Sequence, residues 1–190
     1  YKGPYFTYGP LIHNPQVVDL LKEKGISIMD EIPAQGSGTM LIRAHGVPPG
    51  IKKNLKSSGF TVIDATCPRV VKVQAIIRKH ARQGYASIII GDKNHPEVRA
   101  LLGYAGERGC AVGNMDELES VPGFEKAIVV AQTTQNIFLY EKVKEWIRVK
   151  FPQYKLYDTI CDSTSKRQAE IKELAGQVDA ILVVGGHSSG

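Results

Sequence analysis

Hydrophobic positions along the chain alternate between two patterns. Short solid runs, clearest at residues 86–90, 127–131 and 179–184, read as strands buried on both faces. Between them lie stretches with helical spacing, such as Val70, Val71, Val73, Ile76 and Ile77 with Lys72, Arg78 and Lys79 interspersed. The pattern predicts strands over residues 26–29, 40–43, 61–63, 86–90, 111–112, 127–131, 155–160 and 179–184. It predicts helices over residues 15–24, 49–58, 70–82, 138–150 and 163–175, with a short one from Met115. Punctuation agrees: Asn14 and Pro15 suit the N-cap and first position of a helix, Gly25, Gly59 and Gly84 end helices, and Pro152 stops another. Strands alternating with amphipathic helices predict an α/β fold of βαβ units around mostly parallel sheet.

The reactive side chains gather where those strands end. Residues 40–43 lead to Ala44-His45-Gly46, and residues 61–63 lead to Cys67. Residues 86–90 lead to a turn carrying His95-Pro96-Glu97, and residues 127–131 lead to Gln132-Thr133-Thr134. Cys161 follows residues 155–160, and Ser188-Ser189 follow 179–184. The carboxyl ends of parallel strands are where α/β proteins hold ligands. Cys67 and Cys161 lie 94 residues apart, as do His95 and Ser189, which points to duplicated units.

Each element also has a plainer reading. His45 fits a turn histidine, His13 a partly buried imidazole before a helix, and Thr133-Thr134 an N-cap. Cys110 falls outside the layout and reads as structural, His80 as a solvated residue in mid-helix, and His187 as open to either role. Together, the imidazoles and hydroxyls at strand ends suit a diphosphate, since both donate hydrogen bonds and helix N-termini add oriented N–H groups. No Gly-rich Walker loop offers an alternative cradle. Thiols converging on the same face suit iron–sulfur ligation better than a paired CxxC zinc site.

Composition narrows the classes. At 43% hydrophobic and 23% charged residues, disorder is excluded, and no apolar run is long enough to cross a bilayer. Basic residues are scattered under a net charge of +5, so the pattern speaks against nucleic acid and for an anionic small molecule. Three cysteines without paired spacing and no signal-peptide pattern fit a reducing compartment, the bacterial cytoplasm or plastid stroma. The chain starts Tyr1-Lys2-Gly3 and stops after an apolar run, so both ends are expected to be missing.

Six motifs in order, Ala44-His45-Gly46-Val47, Asp64-Ala65-Thr66-Cys67-Pro68, His95-Pro96-Glu97-Val98, Gln132-Thr133-Thr134, Ile160-Cys161 and Arg167-Gln168, resemble the LytB/IspH family. The resemblance covers essentially all 190 residues. It implies a 4-hydroxy-3-methylbut-2-enyl diphosphate reductase, the last enzyme of the non-mevalonate isoprenoid pathway. It implies three similar α/β units around a central iron–sulfur site, here residues 1–67, 68–157 and 158–190, with the first and last incomplete. It also implies that Cys67 and Cys161 ligate a [4Fe–4S] cluster and that His13, His45, His95 and Ser189 bind the diphosphate. Glu97 would deliver a proton, and Thr133 would bond to Glu97 near the substrate hydroxyl. Electrons would come from a ferredoxin or flavodoxin, with no nucleic-acid or membrane partner.

The family's first cysteine belongs to a Gly-Phe-Cys type motif that would precede Tyr1, and Cys110 does not match it. The stretch is therefore expected to be the middle of the enzyme and inactive alone. Two other classes stand beside the reductase: a cluster-free diphosphate-binding module, and a zinc hydrolase, which lacks a local ligand pair such as HExxH.

Overall fold

The computed structural model describes residues 3–12 and 14–184. The first half forms strand β1 (Tyr5–Tyr8), helix α1 (Pro15–Glu23), β2 (Ile26–Met29), β3 (Thr39–Ile42), α2 (Pro49–Ser57) and β4 (Thr61–Asp64). The second half continues with α3 (Pro68–Ala81), β5 (Ala86–Ile90), α4 (Pro96–Ala105), β6 (Gly109–Val112), α5 (Met115–Glu119) and β7 (Ala127–Ala131). It closes with α6 (Ile137–Lys150), β8 (Lys155–Leu156) and α7 (Asp162–Ala175).

The strands form two four-stranded sheets, parallel throughout, ordered β2-β1-β3-β4 and β6-β5-β7-β8. The two orders are the same. In each, the chain winds first to one side of its opening strand and then crosses to the other. Each sheet therefore has a switch point, between β1 and β3 in the first and between β5 and β7 in the second, where the loops at the carboxyl ends diverge and leave a crevice.

Strands β5 and β7 are buried along their whole length. On one face Ile88, Ile90, Val129 and Ala131 pack against Tyr140, Val143 and Ile147 of α6 and Leu118 of α5. On the other, Ile89, Ile128 and Val130 meet Val73 and Ile77 of α3 and Val98 and Leu101 of α4. Each fully buried isoleucine here contributes about 1.5–3 kcal/mol of hydrophobic stabilisation. Helix α3 starts at the end of a first-sheet strand but packs on the second sheet, so it couples the two. The first sheet has a smaller core of Met40, Ile42, Val47, Leu55 and Phe60, with Phe6 edge-on to Phe60 at 5.8 Å.

The architecture is the α/β fold that the periodicity predicts, with helix α4 added and four smaller local differences. Strand β1, central in the first sheet, is not signalled by an apolar run. Strand β8 is shorter than the expected 155–160, because the Thr159 side chain replaces the ladder. Its Oγ1 accepts from the Ala131 N–H at 2.8 Å and donates to the Ala131 carbonyl at 2.7 Å. Residues 179–184 form no strand and pair with none among the described residues, leaving Leu182, Val183 and Val184 exposed. A ladder requires a neighbour, and hydrophobicity does not supply one.

The fourth difference is His80, which is buried in the last turn of α3 rather than solvated. Its Nδ1–H donates to the Ile76 carbonyl at 2.9 Å, which leaves Nε2 to accept from the Tyr157 hydroxyl at 3.0 Å. No described helix is long and apolar enough to cross a membrane.

Candidate active site at the strand ends

The loop after β5 is shaped by its own side chains. Asp92 Oδ1 accepts the Asn94 N–H at 2.8 Å, and the His95 N–H donates to the Asp92 carbonyl at 2.9 Å. His95-Pro96-Glu97, read from sequence as a turn, instead opens helix α4: His95 is its N-cap and Pro96 its first residue. A proline has no N–H to lose in that position. The His95 Nδ1 accepts the Glu97 N–H at 3.2 Å. In neutral His95 the ring proton therefore sits on Nε2, which serves as a donor.

Glu97 is 2% exposed, and both its oxygens are engaged by one residue after β7. Oε1 accepts the Thr133 N–H and Oε2 accepts the Thr133 hydroxyl, each at 2.7 Å. Burial pushes the Glu97 carboxyl above the ordinary carboxylate value, against the opposing pull of the two Thr133 bonds. Gln132, which the residue pattern did not single out by itself, braces the same crevice. Its Oε1 accepts the Asp92 N–H at 3.1 Å, and its Nε2 donates to Thr134 Oγ1 at 2.9 Å. Thr134 is thus a brace; the N-cap of α6 is Asn136.

The first sheet contributes the facing wall. His45 follows β3, and its ring meets that of His95 edge-on, centroids 5.0 Å apart. Gly46 takes φ of +74°, and a Cβ there would lie 2.5 Å from Gln74 Nε2, so only glycine fits this turn without displacing the amide. Arg43 donates to the Pro10 carbonyl at 3.0 Å and ties the loop after β1 to the end of β3.

The two thiols occupy matching places. Cys67 is the N-cap of α3, and its N–H donates to the Ala44 carbonyl at 2.9 Å. Cys161 is the N-cap of α7, and its N–H donates to the Thr133 carbonyl at 2.8 Å. An ion pair between Arg69 and Asp162 joins the first turns of the two helices. The Ser163 N–H, aided by the Thr164 N–H, the Ser163 hydroxyl and Arg69, holds the Cys161 thiol below its ordinary value despite burial.

The contacts run continuously from Cys67 and Ala44 through His45, His95, Glu97 and Thr133 to Cys161. His13 and Ser189 lie outside the described residues, as does His187. Cys110 stays apart in β6, packed against the second-sheet core, and burial pushes its thiol up. Cys67 and Cys161 suit a thiolate-held cluster in donor type and setting, two helix N-termini with a cation beside one of them. Among the described residues, no three His, Cys, Asp or Glu side chains converge as a complete metal site.

The model of the LytB protein family matches residues 1–190. The chain belongs to the LytB family. It is 40% identical over 187 residues to the 4-hydroxy-3-methylbut-2-enyl diphosphate reductase of Geotalea uraniireducens, covering 98% of this chain and 66% of the relative. The enzyme of the same name from Aquifex aeolicus is 39% identical over 197 residues, covering 100% of this chain and 66% of the relative. Among solved structures, the Plasmodium falciparum E-1-hydroxy-2-methyl-but-2-enyl-4-diphosphate reductase superposes with a TM-score of 0.91 at 28% identity, over 100% of this chain and 61% of that one. A second, described as the terminal enzyme of the non-mevalonate pathway, gives 0.78 at 39% identity, over 100% of this chain and 68% of that one. The chain spans about two thirds of the length of the curated relatives it matches. The family indicated by the six motifs is the one to which the LytB match assigns it.

Proposed function

We propose that this site belongs to a 4-hydroxy-3-methylbut-2-enyl diphosphate reductase, which replaces the substrate's allylic hydroxyl by hydrogen to give isopentenyl and dimethylallyl diphosphates. The observation that carries the reading is Glu97, buried, pushed toward its protonated form and locked to Thr133 beside the His45–His95 pair. In balance, the C–O bond breaks, two electrons and two protons enter, and water leaves.

His45 and His95, with His13 and Ser189, bind the diphosphate. The Nε2–H of His95 is suited to this, because its Nδ1 is committed to the helix cap. Binding energy from that remote group holds the reacting carbon in place. Glu97 stores a proton at its carboxyl, and Thr133 fixes the orientation of that carboxyl toward the substrate hydroxyl.

Cys67 and Cys161 are the residues of this chain that would hold a [4Fe–4S] cluster. When bound, such a cluster supplies electrons and a Lewis-acidic iron. The electrons come from a ferredoxin or flavodoxin in the cytoplasm or plastid stroma. Residues 1–67, 68–157 and 158–190 are read as three α/β units around this site, and the shared strand order of the two sheets supports the first two.

Anaerobic iron and acid-labile sulfide analysis with a visible spectrum tests the cofactor. The expected result for the full-length protein is a brown colour, with iron and sulfide in equal amounts. A colourless protein that still binds inorganic diphosphate would replace this reading with a cluster-free diphosphate-binding module.

A further inference from the structure

Helix α3 presents its buried face at Val70, Val73, Gln74, Ile77 and His80. The stripe is apolar apart from Gln74 and His80, and His80 has partners at both ring nitrogens. Gln74 does not follow that pattern. It is 7% exposed, and its Nε2 is buried with no hydrogen-bond partner among the described residues. An unpaired buried amide is costly, and an apolar side chain would fill this position on the stripe without that cost. The contrast with Gln132 is direct, because that buried glutamine has both ends of its amide bonded, Oε1 to the loop after β5 and Nε2 to Thr134 in its own loop.

The direction of the Gln74 amide is fixed by what it faces. Nε2 lies 2.5 Å from where a Cβ on Gly46 would stand, and Thr66 Cγ2 and Oγ1 lie 3.1 and 3.4 Å from that same point. The amide is therefore aimed into the cradle that Gly46 leaves open, between the turn carrying His45 and the turn leading into Cys67. We propose that Gln74 is a further ligand-binding residue of this site, its Nε2–H donating to a phosphate oxygen of the anion held by His45 and His95. The inference rests on the diphosphate-binding reading above and extends the binding set to an amide on α3. Recognition of the anion would then be shared between a loop of each sheet and the helix that couples the sheets.

The test is calorimetric titration of the purified protein with inorganic diphosphate, together with thermal unfolding without ligand. Gln74→Met is expected to weaken binding about 10- to 100-fold, the range for losing a hydrogen bond to a charged acceptor. Its melting temperature is expected to stay level or rise, because the unpaired amide is gone. A residue with only a structural role would not separate affinity from stability in this way. Gln74→Glu is expected to bind more weakly still, because a carboxylate would face the phosphate.

Wild-type affinity in a folded Gln74→Met protein would overturn the assignment. If His45→Ala loses binding while Gln74→Met keeps it, Gln74 alone is wrong and the diphosphate site stands. If the wild-type protein itself takes up no diphosphate, the diphosphate-binding reading fails along with this inference.

Discussion

In the full-length enzyme, Glu97→Gln is expected to lower kcat by about 10²- to 10⁴-fold, the range for losing a positioned general acid, while leaving diphosphate affinity close to wild type. The substitution preserves shape and partners. A glutamine carbonyl can accept the Thr133 N–H that Glu97 Oε1 now accepts, and its amide can donate to the Thr133 hydroxyl that now donates to Oε2. What it removes is the exchangeable proton. Steady-state kinetics separates the two, because the defect should fall on kcat and not on binding. Undiminished turnover by Glu97→Gln would remove the proton role from this carboxyl.

The same substitution has a stability signature. The Glu97 carboxyl lies above its ordinary range in the folded protein and returns to that range on unfolding. The folded state therefore binds this proton more tightly than the unfolded state does. Its effect on stability is most favourable below the ordinary carboxylate value and declines as pH rises from there through the folded pKa. The wild type should accordingly lose stability relative to Glu97→Gln across that window, and the gap should level off above it. Thermal unfolding of both proteins across the acidic range reads this directly.

In the full-length protein, Cys161→Ser is expected to reduce bound iron by more than about tenfold, at least the loss that removing an outer partner of a metal ligand causes, with the fold unchanged. Serine is a favoured N-cap, so α7 should start as well with it as with the thiol. Cys67→Ser should behave alike, since Cys67 caps α3 in the matching position. Cys110→Ser should retain wild-type iron, because that thiol packs against the second-sheet core. Iron analysis of the three variants after anaerobic purification checks the assignment. Full iron in Cys161→Ser, or its loss in Cys110→Ser, would contradict it.

Much of this architecture is legible in the sequence because β5 and β7 are covered on both faces, which makes them solid apolar runs. Strand β1 is not, because Tyr5-Phe6-Thr7-Tyr8 mixes aromatic and polar residues between prolines and its central place depends on pairing with β2 and β3. Residues 179–184 carry the opposite lesson: composition reads as a strand, but the ladder has no partner among the described residues. For His80 the signal was available. Its spacing from Val70, Val73 and Ile77 places it on the buried stripe of α3, and a solvated reading overlooks that.

The site divides in the same way. Each motif could be placed at the end of its own strand from sequence. The meeting of His45 with His95 depends on two switch points facing each other, and local spacing does not encode that. The bond from Thr133 to Glu97 was expected from the family resemblance and is present. Gln132 is legible only as part of the Gln132-Thr133-Thr134 motif, without a role of its own, and Gln74 not at all, because a buried amide has no sequence signature apart from the packing around it.

We propose that this crevice reduces an allylic diphosphate. The test is anaerobic incubation of the purified full-length protein with 4-hydroxy-3-methylbut-2-enyl diphosphate and a reduced one-electron donor, with products separated by chromatography. The expected result is consumption of substrate with appearance of isopentenyl and dimethylallyl diphosphates. A folded, iron-containing protein that binds the substrate and leaves it unreduced would contradict it.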